Sequence, residues 1–254
     1  MERRVRTGQI VRESLRLLGR NAWRAGVVWL IAAMLFTGTD LVDIVYGAPQ
    51  SGHGFSPAQI ASLAIRVIAP LWVSTAAWRI MLGSARAAWA PDFAFWRYVL
   101  VSLLLFAVTF VPAVAATRLL GPAIADAFHD PYQQTIARGA VAFALILLGT
   151  FVTIRLALWP VALAIGDRAV TFVTAWRATR GAVWAMIGAL LLLGVPWLAA
   201  HFAATVWAQS LSGQARVTAT AIDGILSVFQ VAFGIAVTAG SYIVLLRREG
   251  ASRD

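Results

Sequence analysis

The sequence contains no cysteine and no lysine, and it has only 11 acidic residues among 254. Without cysteine, disulfides and thiolate metal sites are excluded. Without lysine, the chain cannot carry a phosphate-binding-loop lysine, a Schiff base or a lysine general base. All 21 basic residues are therefore arginine, and the chemistry open to the chain is correspondingly narrow.

Catalytic signatures are missing as well. No HExxH, GxSxG or glycine-rich phosphate loop occurs, and no carboxylate falls in the middle of an apolar segment. Asp126, His129 and Asp130 have the helical spacing of a cation site, but the proline that follows favours a helix end and an ordinary polar loop. The sequence predicts no enzymatic activity, no cofactor and no metal, and a membrane-embedded enzyme is the weakest alternative.

Charged residues are scarce, at 13%, whereas 60% of the residues are hydrophobic and the mean hydropathy is +0.78. This balance is typical of a protein dissolved in lipid. A membrane-spanning helix needs about 20 mostly apolar residues. Six segments qualify: 24–44, 59–82, 97–119, 139–166, 182–207 and 223–246. Period-two alternation is absent, so we expect an all-α bundle of six transmembrane helices forming one domain, 1–254.

The arginines divide unevenly between the two sides of this predicted bundle. Sixteen lie in the N-terminal segment, the tail and two of the connections, whereas the other side has only Arg118, Arg138 and Arg216. The positive-inside rule therefore places both termini in the cytoplasm. The net charge of +10 is explained without a nucleic-acid partner. No small-residue cleavage site closes the first apolar segment, which predicts a retained span rather than a signal peptide.

A basic amphipathic helix is predicted at residues 1–22. Within "IVRESLRLLGRNAWR", residues 10–24, two sets of residues recur at spacings of three or four, so each set forms a stripe along a helix and the two stripes are adjacent. The apolar set is Val11, Leu15, Leu18 and Ala22, and the basic set is Arg12, Arg16, Arg20 and Arg24. Such a helix lies in the interface on anionic headgroups, or it serves only to orient the chain during insertion.

Trp-Arg pairs indicate an internal repeat of three hairpins, each preceded by a basic interfacial segment. The pairs begin at Trp23, Trp96 and Trp176, each at the predicted start of an outward-going span. The simpler interpretation is that tryptophan and arginine are common anchors at a membrane interface. In the last span, Ala236 and Gly240 permit close helix approach within the chain or in a homo-oligomer.

Two arginines, Arg66 and Arg155, fall inside apolar segments, each about 20 Å from the arginine that closes its segment. A charge at that depth needs a partner. Arg66 could form a structural ion pair with Asp40 or Asp43, whereas Arg155 could use carbonyls freed by a kink at Pro160. Prolines at 70, 112 and 196 predict kinks in three other spans. The alternative is that both arginines line a cavity that binds an anionic headgroup or solute.

The run "RLALWPVALAIGDRAVTFVTAWRATRGAVWAMIGALLLLGVPW", residues 155–197, resembles the YciC-like and glycerophosphoryl-diester-phosphodiesterase membrane-domain group of bacterial proteins. The matching positions are Arg155, Pro160, Gly166, Asp167, Arg168, Trp176, Arg177, Thr179, Arg180 and Gly181. The resemblance implies a six-span inner-membrane protein of undefined activity. In the phosphodiesterase members catalysis resides in a separate soluble domain, which this chain lacks.

These observations predict a non-enzymatic protein of the bacterial inner membrane whose basic cytoplasmic surface engages anionic lipid or membrane partners. In residues 169–180 Phe172, Val173 and Trp176 are expected to face lipid. The basic contacts are expected from Arg12, Arg16, Arg20, Arg177 and Arg180. The alternative is a transporter or permease for an anionic or amphiphilic solute that uses Arg66 and Arg155.

Overall fold

The computed structural model describes residues 5–46, 56–84 and 86–250, without the side chains of residues 43, 45, 46 and 247–250. These ranges contain nine helices and no strand. The helices are α1 Thr7–Tyr46, α2 Pro57–Leu82, α3 Phe93–Leu119, α4 Gly121–Ala127, α5 Pro131–Leu156, α6 Leu158–Ile165, α7 Phe172–Ala178, α8 Val183–Gln209 and α9 Gly213–Gly250.

Six of the nine helices, α1, α2, α3, α5, α8 and α9, are long and apolar enough to cross a membrane. The all-α, six-span fold is thus confirmed, and the chain is a multi-pass integral membrane protein. Helices α1, α2, α8 and α9 pack together as one group, while α3 pairs with α5. The short α6 contacts α2, α3 and α9 and joins the two groups. We call the end where α1 and α3 begin and α2 finishes the arginine-rich end.

Helix α1 is longer than the predicted first span. It continues without a break through the segment predicted as a separate interfacial helix. The reason is a stripe of buried side chains at spacings of three and four, which crosses the predicted boundary: Ile10, Ser14, Leu17, Asn21, Ala25, Val28 and Ala32. The stripe that packs on the bundle is offset by one position from the predicted apolar set, since Ser14 is buried and Leu15 is exposed.

The polar members of this stripe satisfy their own hydrogen bonds within α1. The Ser14 hydroxyl donates to the Ile10 carbonyl at 2.7 Å, and the Asn21 amide donates to the Leu17 carbonyl at 2.9 Å. Ser14 packs directly against Gly240 of α9, where any larger residue would meet its hydroxyl. The small residue predicted to permit close approach thus serves packing within this chain.

The contacts of α1 also reveal its course across α9. Ser14 lies against Gly240, and Thr37 lies against Gly224. At a rise of about 1.5 Å per residue, the segment of α1 between these contacts is about 35 Å long and that of α9 about 24 Å. The two helices are therefore not straight and parallel over this length, and the start of α1 stays packed on the bundle, since Ile10 is fully buried and Thr7 lies against Gly188 of α8.

The predicted span at residues 139–166 is divided in the structure. Helix α5 ends at Leu156, and α6 begins at Leu158. Pro160 occupies the third position of α6, where its missing N–H costs nothing because the first turn of a helix has no intrahelical acceptors. The kink is thus where Pro160 predicts it. At Pro70, Pro112 and Pro196, by contrast, the helices are continuous.

The three predicted hairpins are present as α1 with α2, α3 with α5, and α8 with α9. The segments that precede them have different structures. Trp23 lies in the middle of α1 and Trp96 in the first turn of α3, whereas Trp176 belongs to the separate helix α7. Only the third hairpin therefore follows a distinct short basic helix.

Candidate functional site

Arg66 is held by the end of α1. Its guanidinium donates to Asp40 Oδ1 at 2.9 Å and to the Thr39 carbonyl at 3.2 Å. The ion pair expected for Arg66 is thus present with Asp40, whereas the side chain of Asp43 lies outside the described residues. The Arg66 side chain is 39% exposed, so it borders a cavity at the opposite end of the bundle from the arginine-rich end.

The cavity beside Arg66 has a volume of about 590 Å³, and the charges of its lining residues largely cancel. His201 Nδ1 lies 2.6 Å from Asp223 Oδ1, and the Thr205 hydroxyl donates to Asp223 Oδ2 at 3.1 Å. With Asp40 and Asp223 facing Arg66 and Arg216, no sign of charge dominates. The cavity therefore has no evident preference for an anion.

Arg155 lies in the last turn of α5 and contacts α7. Its guanidinium donates to the Trp176 carbonyl at 2.8 Å and stacks 4.3 Å from the centre of the Trp176 ring. The Arg155 carbonyl accepts from the Thr179 hydroxyl at 2.8 Å. Arg155 thus uses a carbonyl of α7 rather than one freed by the kink, and it does not border the cavity of Arg66.

Helix α7 has a buried and an exposed side. Trp176 is half-buried and packs against Arg155 and the core, so only part of its ring is left to face lipid. Phe172 and Val173 are about half exposed, and Arg177 and Arg180 are exposed. Of the residues predicted to form the interface, Trp176 therefore anchors α7 and the others face outward.

The most deeply buried charge in the described chain is Arg79, at the end of α2. Its guanidinium donates to the carbonyls of Ala164, Ala87 and Ala90, each at 2.8 Å, and to Asp92 Oδ1 at 2.6 Å. Its side chain is 0% exposed. One guanidinium thereby ties together the end of α2, the connection that follows, the end of α6 and the start of α3.

Asp92 completes this network and is also the N-cap residue of α3. Its Oδ1 accepts from the Phe95 N–H at 3.0 Å, and its Oδ2 lies 2.6 Å from the Arg86 guanidinium. Burial raises the pKa of this carboxyl, but the Phe95 N–H and the two guanidinium groups outweigh burial, so the pKa lies below its ordinary value. Asp92 is therefore ionised at neutral pH.

Sequence reasoning missed this network, since Arg79 was seen only as the basic residue closing a span. A signal was available in "PDFAFW", residues 91–96, because an aspartate before an apolar run is typical of a helix N-cap. The partners of Arg79 were not predictable, since three of its four acceptors are backbone carbonyls brought together by folding.

A polar cavity of about 490 Å³ lies between α1 and the end of α2. We call it the α1–α2 cavity; its lining includes Glu13, Arg16, Arg20, Arg24 and Gly83. The three arginines are spaced by four and so share one face of α1. Arg16 lies 3.5 Å from Glu13, whereas Arg20 and Arg24 have no hydrogen bond or ion pair within the described part of the chain. Arg12 lies outside this cavity.

The residues considered for a cation are not gathered into a site. Asp126 lies near the end of α4 and is exposed, while Asp130 caps α5 by accepting from the Tyr132 N–H at 3.0 Å. Within the described ranges no three histidine or acidic side chains are close enough to hold a metal together.

No family model, curated protein or solved structure matches this chain significantly.

Proposed function

We propose that this chain is a non-enzymatic protein of the bacterial inner membrane that holds anionic phospholipid at its cytoplasmic, arginine-rich end. The observation that carries the proposal is the α1–α2 cavity, in which Arg16, Arg20 and Arg24 line one side of a space large enough for a headgroup.

The charges in this cavity favour an anion. Glu13 offsets Arg16, but Arg20 and Arg24 are one helical turn apart and keep their donors available. Guanidinium groups bind phosphate oxygens through charge-assisted, often bidentate hydrogen bonds. Two such groups on one helix face match the two non-bridging oxygens of a phosphodiester.

The height of the cavity supports a lipid source for that phosphate. The hydropathy pattern starts the first span at Arg24, and α2 ends at Leu82. Both limits of the apolar region therefore coincide with the lining of the α1–α2 cavity, which supports a position for the cavity at the level of phospholipid headgroups.

Exposed arginines outside the cavity strengthen the general attraction to an anionic leaflet. Arg12, Arg177 and Arg180 are all exposed. Each arginine near a membrane surface contributes about 1 kcal/mol toward anionic lipid. These residues raise the local lipid concentration, whereas the cavity supplies a defined position.

Kinship with the YciC-like and phosphodiesterase membrane-domain group is part of the proposal. Several of the matching residues hold the fold: Asp167 Oδ1 accepts from the Ala169 N–H, and Thr179 bonds to the Arg155 carbonyl. Gly166 and Gly181 have φ of 80° and 78°, a conformation that favours glycine. We expect members of that group to share this local structure without any inference about catalysis.

The transport alternative requires Arg66 and Arg155 to act on one solute. Arg66 is bound to the end of α1, and Arg155 is bound to α7. No observation favours a path between them.

The lipid proposal is tested by native mass spectrometry of delipidated protein titrated with phosphatidylglycerol or phosphatidylcholine. We expect the wild type to retain phosphatidylglycerol preferentially. The variant Arg20→Gln with Arg24→Gln removes two charge-assisted contacts with the phosphate, each worth about 1.5 kcal/mol, so its affinity should fall on the order of 100-fold.

The matched control is Arg12→Gln with Arg177→Gln, which removes the same charge from exposed positions outside the cavity. This control should keep most of the retained lipid. Equal losses in the two folded variants would contradict a defined site and leave only a diffuse surface attraction.

A further inference from the structure

A second cavity at the arginine-rich end has a different character from the first. It has a volume of about 430 Å³ and lies between the start of α3 and the connection from α6 to α7. We call it the α3–α6 groove. Its lining includes the guanidinium groups of Arg86, Arg97 and Arg168 and the aromatic rings of Phe93, Trp159 and Phe172. Guanidinium groups and aromatic rings are thus combined in one groove.

The helices present these residues in register. On α6, Trp159, Leu163 and the following Gly166 are spaced by four and three, so they share one face. On α3, Phe93 and Arg97 are spaced by four, and the Arg97 guanidinium lies 5.8 Å from the centre of the Phe93 ring. The Trp159 and Phe172 rings meet edge to face at 5.7 Å and form the wall opposite α3.

Two guanidinium groups in the groove keep donors available for a ligand. Arg97 lies over the Phe93 ring and Arg168 is exposed, and within the described residues neither has a hydrogen bond or an ion pair. Arg86 pairs with Asp92 and lies against the backbone of Gly166. The carboxylate in the lining of the groove is that of Asp167, which accepts hydrogen bonds from the Ala169 N–H and the Tyr242 hydroxyl. The lining charges therefore favour an anion.

The groove continues onto a face of α3 that fits an acyl chain. Phe93, Arg97, Leu100 and Leu104 follow one another at spacings of four, three and four, so they lie along one side of the helix. Phe93, Leu100 and Leu104 are 76%, 70% and 55% exposed. In a membrane-spanning helix this strip faces lipid. Its first residues, Phe93 and Arg97, also line the groove.

We propose that the α3–α6 groove binds one anionic glycerophospholipid, with its phosphate at Arg97 and Arg168 and one acyl chain along Phe93, Leu100 and Leu104 of α3. This site is separate from the α1–α2 cavity and does not depend on it. The phosphate meets the guanidinium groups, as in other arginine–phosphate contacts, and the chain covers apolar surface that the bundle leaves exposed.

The test counts phosphatidylglycerol molecules retained by the delipidated full chain in native mass spectrometry. Wild type should retain two at low lipid excess. Arg97→Gln with Arg168→Gln should lose one of them, with the affinity for it reduced at least tenfold, whereas Arg20→Gln with Arg24→Gln should lose the other. Arg12→Gln with Arg177→Gln should lose neither. Because each cavity has its own variant, failure at one is distinguishable from failure at the other.

A second arm separates a lipid from a soluble phosphate compound. Glycerophosphoglycerol, the deacylated headgroup, carries the same phosphodiester without an acyl chain, so it should leave the retained phosphatidylglycerol in place. Displacement by glycerophosphoglycerol would contradict a lipid ligand and assign the groove to a soluble phosphate compound.

Unchanged lipid retention in the folded Arg97→Gln, Arg168→Gln variant would overturn the site. Should that double variant fail to fold, Arg168→Gln alone decides the matter, because Arg168 is exposed and makes no contact on which folding depends. Loss of one lipid supports the proposal, and retention of both contradicts it.

Discussion

Arg79 and Asp92 account for much of the local order at the arginine-rich end. A buried guanidinium is tolerated only when its donors are satisfied, and Arg79 has four acceptors within 2.8 Å. Arg79 binds Oδ1 of Asp92, and the partly exposed Arg86 binds Oδ2 of the same carboxylate. Asp92 thus connects a structural arginine to one that lines the α3–α6 groove.

The lowered pKa of Asp92 predicts a particular dependence of stability on pH. A carboxyl whose pKa is lower in the folded state than in the unfolded chain stabilises the protein fully above its unfolded-state pKa, which is about 4 for aspartate. That stabilisation is lost as the pH falls through the lowered pKa. Asp92→Asn should cost about 3 kcal/mol at pH 7, because it leaves Arg79 buried without its anion.

The measurement is the thermal unfolding temperature in detergent from pH 7 to pH 3 for wild type and Asp92→Asn. The two curves should run parallel between pH 7 and pH 5 and approach each other below about pH 4. The control is Asp126→Asn, because Asp126 is exposed and has no hydrogen bond or ion pair within the described part of the chain. This variant should follow the wild type throughout. Curves for wild type and Asp92→Asn that stay parallel to pH 3 would refute the role of the ionised carboxyl.

At the scale of elements, close helix approach depends on which glycines face a neighbour. A Cβ at Gly149 of α5 would lie 2.5 Å from Thr109 Cα of α3, whereas a Cβ at Gly139 would meet nothing within 4 Å. The approach also brings the hydroxyls of Thr109 and Thr153 within 3.1 Å. Both glycines lie on the same helix, but only Gly149 is required for the α3–α5 pair.

Gly149→Ala is therefore predicted to destabilise the protein by about 1–3 kcal/mol, because two backbones must separate. Gly139→Ala should leave stability unchanged or raise it by up to about 1 kcal/mol, since alanine favours the helix. Thermal unfolding of both variants in the same detergent measures the difference. Equal effects of the two substitutions would show that α3 and α5 do not approach as closely as the structure has them.

For the whole molecule, the six spans form two groups with different contacts. Helices α1, α2, α8 and α9 pack extensively, whereas α3 and α5 join them chiefly through α6. The buried α6 and the Arg79 network therefore hold the two groups together at the arginine-rich end. Both proposed lipid positions lie at that end, one on each group.

The orientation of the bundle in the membrane is a prediction of the arginine distribution. Because the natural chain has no cysteine, single cysteines can be introduced without a background. Gly8→Cys and Gln133→Cys replace exposed residues at opposite ends of the bundle. In intact cells with a permeable outer membrane, an impermeant maleimide should label Gln133→Cys, and Gly8→Cys only after lysis. The reverse pattern would contradict cytoplasmic termini and place both proposed lipid positions in the outer leaflet.

By itself the sequence determined the class of fold, the number of spans and most of their limits, because burial in lipid imposes a length and a hydropathy on each helix. Residues 59–82 and 182–207 agree with α2 and α8 to within two residues. It also predicted the kink at Pro160 and gave Asp40 as one of two candidate partners of Arg66, since a proline acts locally and a charge in lipid needs a nearby opposite charge.

Tertiary structure alone decided which face of α1 is buried, where Arg155 binds and what satisfies Arg79. Within a membrane, apolar character does not distinguish a side that packs on protein from a side that faces lipid, so periodicity did not show that the side of Ser14 is the one that packs on protein. The acceptors of Arg155 and Arg79 include backbone carbonyls, which every residue carries and no sequence pattern marks. The α3–α6 groove likewise exists only in the folded chain, where Arg97 of α3 and Arg168 of the connection after α6 lie at one cavity although they are distant in sequence.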